Sequence, residues 1–261
     1  MKTRITFMGC LLVFAGICYM VCGTALLFKP IENAKSEDIL IKTRWKQMGG
    51  FEKYTPDHLR LGCWSTALAQ IMYYHRLKPF GLVAYTSRNG YVIKENIDSS
   101  TVNLAMLTDQ IDSTAQQSLI DATARYNYYA ALAVQKDFGT DRYMNKLASS
   151  SLLEEHFPVH VKRYISWHRT IPYSISKLES IVCSELNLKR PVFLHFSDLK
   201  VFGHSVVIDA YKLKDKQVIV HINQGQGGPD DGWYNFKGSI LRTGDDQLRV
   251  IYTFNPKISI K

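Results

Sequence analysis

Between Cys63 and Arg76 the apolar residues Trp64, Ala67, Leu68, Ile71 and Met72 recur at spacings of three and four, which predicts a helix with one buried face. The same reading predicts helices over Ala115–Arg125, over Arg142–His156, where Pro158 stops it, and over Ser176–Leu188. After Pro191 the texture changes to short β-branched and aromatic runs. Val192–Phe196, His204–Leu213, Gln217–Asn223, Gly232–Phe236 and Leu248–Phe254 predict an antiparallel sheet. Lys214-Asp215-Lys216 reads as a hairpin connection, and Gly228-Pro229-Asp230-Asp231-Gly232 as a turn. The chain is therefore expected to be α+β, a helical half followed by a strand-rich half, with no internal repeat and no low-complexity tract.

The N-terminus has a different pattern. Residues Ile5 to Phe28 carry no charge, follow Lys2 and Arg4, and precede Lys29, as in exported proteins. This stretch exceeds an ordinary signal core and approaches a membrane-spanning length. Two dispositions follow: a signal peptide cut after the small residues Gly23-Thr24-Ala25, or a retained anchor that makes the membrane a partner. A lipoprotein reading of Cys10, Cys18 and Cys22 is weaker, because Ile17 and Val21 are bulky and Cys10 comes early. The expected organisation is a signal peptide or anchor over 1–28, a linker over 29–40 and one catalytic domain over 41–261. The expected location is extracytoplasmic: secreted, periplasmic or membrane-anchored.

Composition narrows the function classes. With 261 residues and an apolar fraction of 46%, the chain has material for a sizeable core. Its net charge of +9 falls to +7 on cleavage after Ala25, and the cations are scattered. No zinc finger, basic helix or aromatic RNA-binding signature accompanies them, so nucleic acid is not an expected partner; attraction to anionic surfaces or acidic proteins is the milder consequence. Past the N-terminal segment only Cys63 and Cys183 remain, which excludes a disulfide-stapled scaffold. A Cys63 to Cys183 bridge is the bland alternative, whereas Leu178, Ile181, Val182 and Leu186 at helical spacing suggest that Cys183 is a buried thiol.

Candidate chemistry lies in three residues. Cys63 opens the apolar helix, His204 follows after about 140 residues at the head of a strand, and Asn223 opens the Gly-rich segment Gln224-Gly225-Gln226-Gly227-Gly228. A Cys at a helix N-terminus meets unpaired N–H groups and the positive end of the dipole, and an imidazole can take its proton. Singly, Cys63 reads as a small core residue, His204 as a structural histidine and Asn223 as a turn former; jointly they favour nucleophilic catalysis. The Gly-rich segment lacks the following Lys and helix of a phosphate loop, and no His-Glu-x-x-His pair is present, so neither cofactor nor metal is expected. His75 is read as a cation or polar tip suiting the end of its helix; His221, two residues from Asn223 on one strand face, has two readings, an approach to the site and, favoured, a structural role.

The stretches Gly62-Cys63-Trp64-Ser65-Thr66-Ala67-Leu68-Ala69-Gln70-Ile71-Met72-Tyr73-Tyr74-His75 and Gly203-His204-Ser205-Val206-Val207-Ile208-Asp209 resemble the streptopain family of papain-like cysteine peptidases. The likeness begins near Trp45-Lys46-Gln47 and continues through Asn223–Gly228 and Asp231-Gly232 to the final strand. It implies a papain-like two-lobed fold with Cys63 on the central helix of one lobe and His204 and Asn223 on the sheet of the other. Protein or peptide substrates would lie between them. Asn223 would orient His204, Gln47 would donate its amide to the oxyanion beside the Cys63 N–H, and Gly203 and Gln224 would line the substrate site.

Three departures accompany the resemblance. The family's Asn-Trp-Gly-Trp-Gly-Gly is here Asn223-Gln224-Gly225-Gln226-Gly227-Gly228. Little chain precedes Trp45 for the family's propeptide, which points to control by a separate inhibitor protein, activity on export, or no activity to restrain. The family's C-terminal Gly-rich loop shortens to Arg242–Gln247, which is expected to open one wall of the cleft. The leading expectation is an exported cysteine endopeptidase working through an acyl-enzyme on Cys63. The alternatives are an inactive or weak homologue that binds peptides or a protein partner, and another acyl transfer on the same fold, such as cell-wall amide hydrolysis.

Overall fold

The computed structural model describes residues 32–33 and 39–257, apart from 113, 140–146, 201, 242–243 and 245. Ten strands and four α-helices occur among them: β1 (Glu32–Asn33), α1 (Cys63–Tyr74), β2 (Gly81–Thr86), β3 (Val92–Ile97), α2 (Gln117–Ala133), α3 (Ser150–His156), β4 (Val159–Trp167), β5 (Ile171–Pro172), α4 (Ile175–Asn187), β6 (Val192–Ser197), β7 (Gly203–Lys214), β8 (Gln217–Asn223), β9 (Gly232–Asn235) and β10 (Leu248–Pro256). Eight strands form an antiparallel sheet in the order β1-β9-β8-β7-β6-β10-β4-β5, and β2 pairs with β3 in a separate hairpin. This is the expected α+β architecture. The uncharged segment over 5–28, with its cleavage site and three cysteines, lies outside the described residues. Among those described, no helix is long and apolar enough to cross a membrane.

The sheet divides the interior in two. Phe193, Val207, Val250, Tyr252 and Phe254 face a core shared with α1 and α2, while Leu194, Val206, Ile208, Val220 and Ile251 face a second core under α4. Alternate residues of one strand thus enter different cores, as a two-residue period requires when both faces are covered. β6 is buried along its whole length, His195 and Ser197 included, so both of its faces meet core. The β7–β8 connection is a two-residue turn with Asp215 at φ 50° and Lys216 at φ 61°, the twist that hairpins favour.

Several elements differ from the periodicity-based expectations. α2 runs to Ala133 rather than Arg125 because Tyr126–Ala133 is buried all round, and a helix without a polar face shows no 3.6-residue rhythm. α3 begins after Ser149, whose hydroxyl caps the Leu152 N–H at 3.1 Å; residues 142–146 of the expected longer helix lie outside the described residues. The β2–β3 hairpin escapes detection because most of its residues are at least partly exposed. β4 alternates buried Val159 and Val161 with exposed His160 and Lys162, a weak signal ahead of the expected sheet. Within 29–40, Glu32–Asn33 adds an edge strand to Trp233 and Gly232.

Residues 41–47 form an extended strap between the two halves. Ile41, Thr43, Trp45 and Gln47 point inward and Lys42, Arg44 and Lys46 outward. Trp45 is fully buried, stacks on Tyr73 at 5.3 Å, and donates its indole N–H to the Thr108 carbonyl at 2.8 Å. Trp45→Ala should therefore cost about 3 to 5 kcal/mol, measured by urea unfolding.

His75 closes α1 through its backbone N–H, and of the two readings of its ring, cation or polar tip, burial favours the neutral one. Burial, helped by the nearby Arg190 charge, depresses its pKa to about 4. Because the folded value lies below the ordinary 6.5, the stability this ring contributes is complete above pH 6.5 and is lost as pH falls toward 4. Thermal melts between pH 7.5 and 4 should show a shallower acid-side decline in His75→Gln than in the parent chain.

Candidate active site

Cys63 is the first residue of α1, and Gly62 ahead of it has φ 86°. That left-handed backbone favours glycine, and a Cβ there would meet the Lys136 side chain at 3.0 Å. No side chain caps this helix start and no acidic residue sits in its first turn, so the dipole acts on the Cys63 thiol unopposed. Trp64 then bolts the helix to the sheet, its ring 4.2 Å from Phe193 and 5.2 Å from Tyr252.

His204 opens β7, where pairing with Phe196 of β6 sets its position. It is 6% exposed and lies between the rings of Phe196 and Phe202. Burial pushes the Cys63 thiol up, yet a hydrogen bond to the His204 ring, the charge of that ring and further bonds from Ser205 more than offset it, leaving a pKa of about 7. The other ring nitrogen, Nε2, lies 3.1 Å from the Gln224 carbonyl oxygen. A carbonyl only accepts, so Nε2 carries the proton and Nδ1 is left to take the proton of the thiol.

Asn223 was expected to hold the His204 ring directly, and here the structure differs. Its Nδ2 donates to the Thr43 carbonyl at 3.0 Å, and its Oδ1 accepts from Gln70 Nε2 at 3.1 Å and from the Gly225 N–H at 3.0 Å. Both acceptor positions are thereby used. The Gly225 N–H and the Gln224 carbonyl belong to one peptide group, so Asn223 holds one end of the peptide whose other end meets His204. The spacing of Cys63, His204 and Asn223 conveyed that they meet; it carried no information on which atoms touch.

Gln224 also departs from its expected place in the substrate site. It is fully buried, with its N–H on Asp231 Oδ1 at 2.7 Å and its Nε2 on the Tyr234 hydroxyl at 3.1 Å. An amide so enclosed fills core space where the family carries an indole and meets no substrate. Gly203 is buried at the first β6–β7 pair, opposite Ser197.

Gln47 is 5% exposed, and its backbone carbonyl accepts the Leu61 N–H at 3.2 Å, which ties the strap beside the Gly62–Cys63 turn. Its side-chain amide hydrogen-bonds none of the described residues. Beside Trp64 a cavity of about 170 Å³ opens between the β2–β3 hairpin and the end of α2, lined among others by Tyr85, Arg88, Lys136 and Asp137. Of the expected shortened loop, 242–243 and 245 lie outside the described residues, while Asp246 is buried against Arg249.

The remaining thiol and histidines fall elsewhere. Cys183 is free and half-buried, with its pKa raised by burial and Glu179, so the bridge to Cys63 is not formed; α4 buries Leu178, Val182 and Leu186 instead. His221 is buried, with Nδ1 2.6 Å from Asp209 Oδ1 and its ring against Trp233. Ser205, Asp231 and Tyr234 around the site were given no role from sequence. The adjacency of Ser205 to His204 and the Asp231-Gly232 pair were the available signals.

A two-lobed α+β body with a cysteine at an uncapped helix start, bonded to a histidine on the facing sheet, defines the class of papain-like cysteine peptidases. Residues 45–234 match the model of the Peptidase C10 family, and the chain belongs to that family, the streptopain family. It is 29% identical over 209 residues to a streptopain of Streptococcus pyogenes, covering 75% of this chain and 51% of that protein, so it spans about half the length of such relatives. The active wild-type interpain A cysteine protease of Prevotella intermedia superposes with a TM-score of 0.66 at 21% identity, covering 82% of this chain and 92% of that one. A prointerpain A fragment superposes with a TM-score of 0.65 at 19% identity, over 96% of this chain and 84% of the fragment.

With its pKa near 7, Cys63 should react with iodoacetamide at half its limiting rate close to that pH. His204 favours the thiolate, so His204→Ala should move this midpoint upward and slow labelling at pH 6. The rate of adduct formation on the Cys63 peptide, followed by mass spectrometry, checks both.

Proposed function

We propose that this chain is an exported cysteine endopeptidase that hydrolyses peptide bonds through an acyl-enzyme on Cys63. The observation that carries the reading is the Cys63 thiol hydrogen-bonded to His204, with a pKa of about 7, at a helix start without a cap. His204 Nδ1 takes the thiol proton, and the thiolate attacks the carbonyl carbon of the scissile bond. The oxyanion meets the backbone N–H of Cys63 and the amide of Gln47, two donors aimed at charge that exists only after attack. Collapse expels the amine, which takes its proton from the imidazolium and leaves a thioester. Water, deprotonated by the same imidazole, then hydrolyses that thioester and frees Cys63.

The cavity beside Trp64 suits a substrate side chain, with the Arg88–Asp137 pair at 3.3 Å and Lys136 at its wall. Export rests on the uncharged stretch over 5–28 behind Lys2 and Arg4. Substrates are proteins or peptides.

A digest of denatured casein, run beside labelling with an epoxysuccinyl inhibitor, tests the reading. Cleavage with modification confined to Cys63, both lost in Cys63→Ala, is the expected result; a folded, reduced protein that neither labels nor cleaves would assign the non-catalytic, peptide-binding alternative. Gln47→Ala should lower kcat by about 10²-fold with little change in KM, as for loss of one oxyanion donor, read by steady-state kinetics on a fluorogenic peptide.

A further inference from the structure

The residue that meets His204 from behind is a backbone carbonyl, and a carbonyl is only as well placed as the peptide that bears it. The peptide joining Gln224 to Gly225 is held at its N–H end by Asn223. The preceding peptide, joining Asn223 to Gln224, donates its N–H to Asp231 Oδ1 at 2.7 Å. Asp231 is itself set by the turn Gly228–Asp231, whose closing bond runs from the Asp231 N–H to the Gly228 carbonyl at 3.1 Å. Gly225 adopts φ 64° between these two anchors. We propose that Asp231 is a positioning residue for His204, acting through Gln224: by fixing the Gln224 N–H it aims the Gln224 carbonyl at His204 Nε2, and so holds Nδ1 toward Cys63.

The surroundings support this role. Tyr234 accepts from the Gln224 side chain at 3.1 Å and donates to the Asp230 carbonyl at 3.0 Å, which joins the same turn to the same residue by a second route. The charged groups that act on Asp231 are Asp209, His221 and Asp230. Asp209 sits at a register shift of β7, between Ile208 and Ala210, and such a bulge re-aims a side chain. Its carboxylate is thereby turned to His221 and to the Ile41 N–H at 3.4 Å, at the head of the strap that carries Gln47. Burial and Asp209 raise the Asp231 pKa to about 6 against the pull of the Gln224 N–H. The contact needs an oxygen acceptor in either protonation state. An amide oxygen meets that need, which makes Asp231→Asn the informative conservative change.

The inference rests on the Cys63–His204 pairing proposed above, and its test separates the two. In the full-length chain, the iodoacetamide rate of Cys63 at pH 6 is read on its own peptide, beside kcat and KM for a fluorogenic peptide and the thermal midpoint, for the parent, Asp231→Ala and Asp231→Asn. Asp231→Ala should slow labelling and lower kcat by about tenfold, the scale of one charge-assisted hydrogen bond, with KM unchanged. Asp231→Asn should restore both to within about threefold of the parent.

Labelling of Asp231→Ala at the parent rate overturns the inference, as does an equal loss in both variants that follows the thermal midpoint, since that is a structural role alone. A parent chain that labels quickly but cleaves nothing defeats the peptidase reading and leaves the labelling comparison decisive. A parent Cys63 no faster than a denatured thiol defeats both.

Discussion

Everything in this site depends on a seam. Cys63 stands on a helix of one half and His204 on a strand of the other, so their hydrogen bond exists only while α1 and the sheet keep their mutual position. Trp64, adjacent to Cys63, supplies that constraint by packing on Phe193 and Tyr252 of two neighbouring sheet strands. The strap over 41–47 adds the second. Asn223 and Gly227 bond the Thr43 and Trp45 carbonyls from the sheet side, while the Thr43 hydroxyl reaches Gln70 of α1 at 2.8 Å. Gln47 ends this strap, so its position and that of Cys63 are set by one packing arrangement.

The surroundings of His204 differ from the family pattern in their side chains. Where the family carries indoles, this chain has Gln224 and Gln226, and an amide covers less apolar area than an indole. At 224, Nε2 donates to Tyr234 while the buried Oε1 has no hydrogen-bond partner among the described residues; Asp231 takes the backbone N–H, and the carbonyl remains for His204. The contact with the ring is made by the main chain, so it does not depend on the chemistry of the side chain at 224. Asn223 acts on this region without touching the ring. Its side chain is spent on three bonds that hold the turn and the strap together.

Burial near the site acts in opposite directions on different groups. It raises the Cys63 thiol, which the His204 and Ser205 contacts then bring down, and it lowers His195, whose pKa falls to about 4 with His204 nearby. His195 therefore stays neutral beside His204, and Ser205 lies 3.0 Å from its Nδ1. A second cation next to the imidazolium would oppose the thiolate pair; a neutral ring does not.

By itself the sequence determined the class of the protein. The apolar period after Cys63 is that of a helix packed on one side, the runs after Pro191 are those of strands, and the order of Cys63, His204 and Asn223 identifies residues that must meet. These features are legible because each is local, or depends on residue type and spacing alone. Elements buried on every face, such as the second half of α2, and elements largely exposed, such as the β2–β3 hairpin, lose the contrast between apolar and polar positions on which such reading relies. Tertiary structure alone decided which atoms touch: that a carbonyl of Gln224 and not the Asn223 side chain faces His204, that Gln224 is core rather than cleft, and that His75 is neutral. Hydrogen-bond partners and burial are set by residues distant in the chain converging on one place, and no spacing along the chain records that convergence.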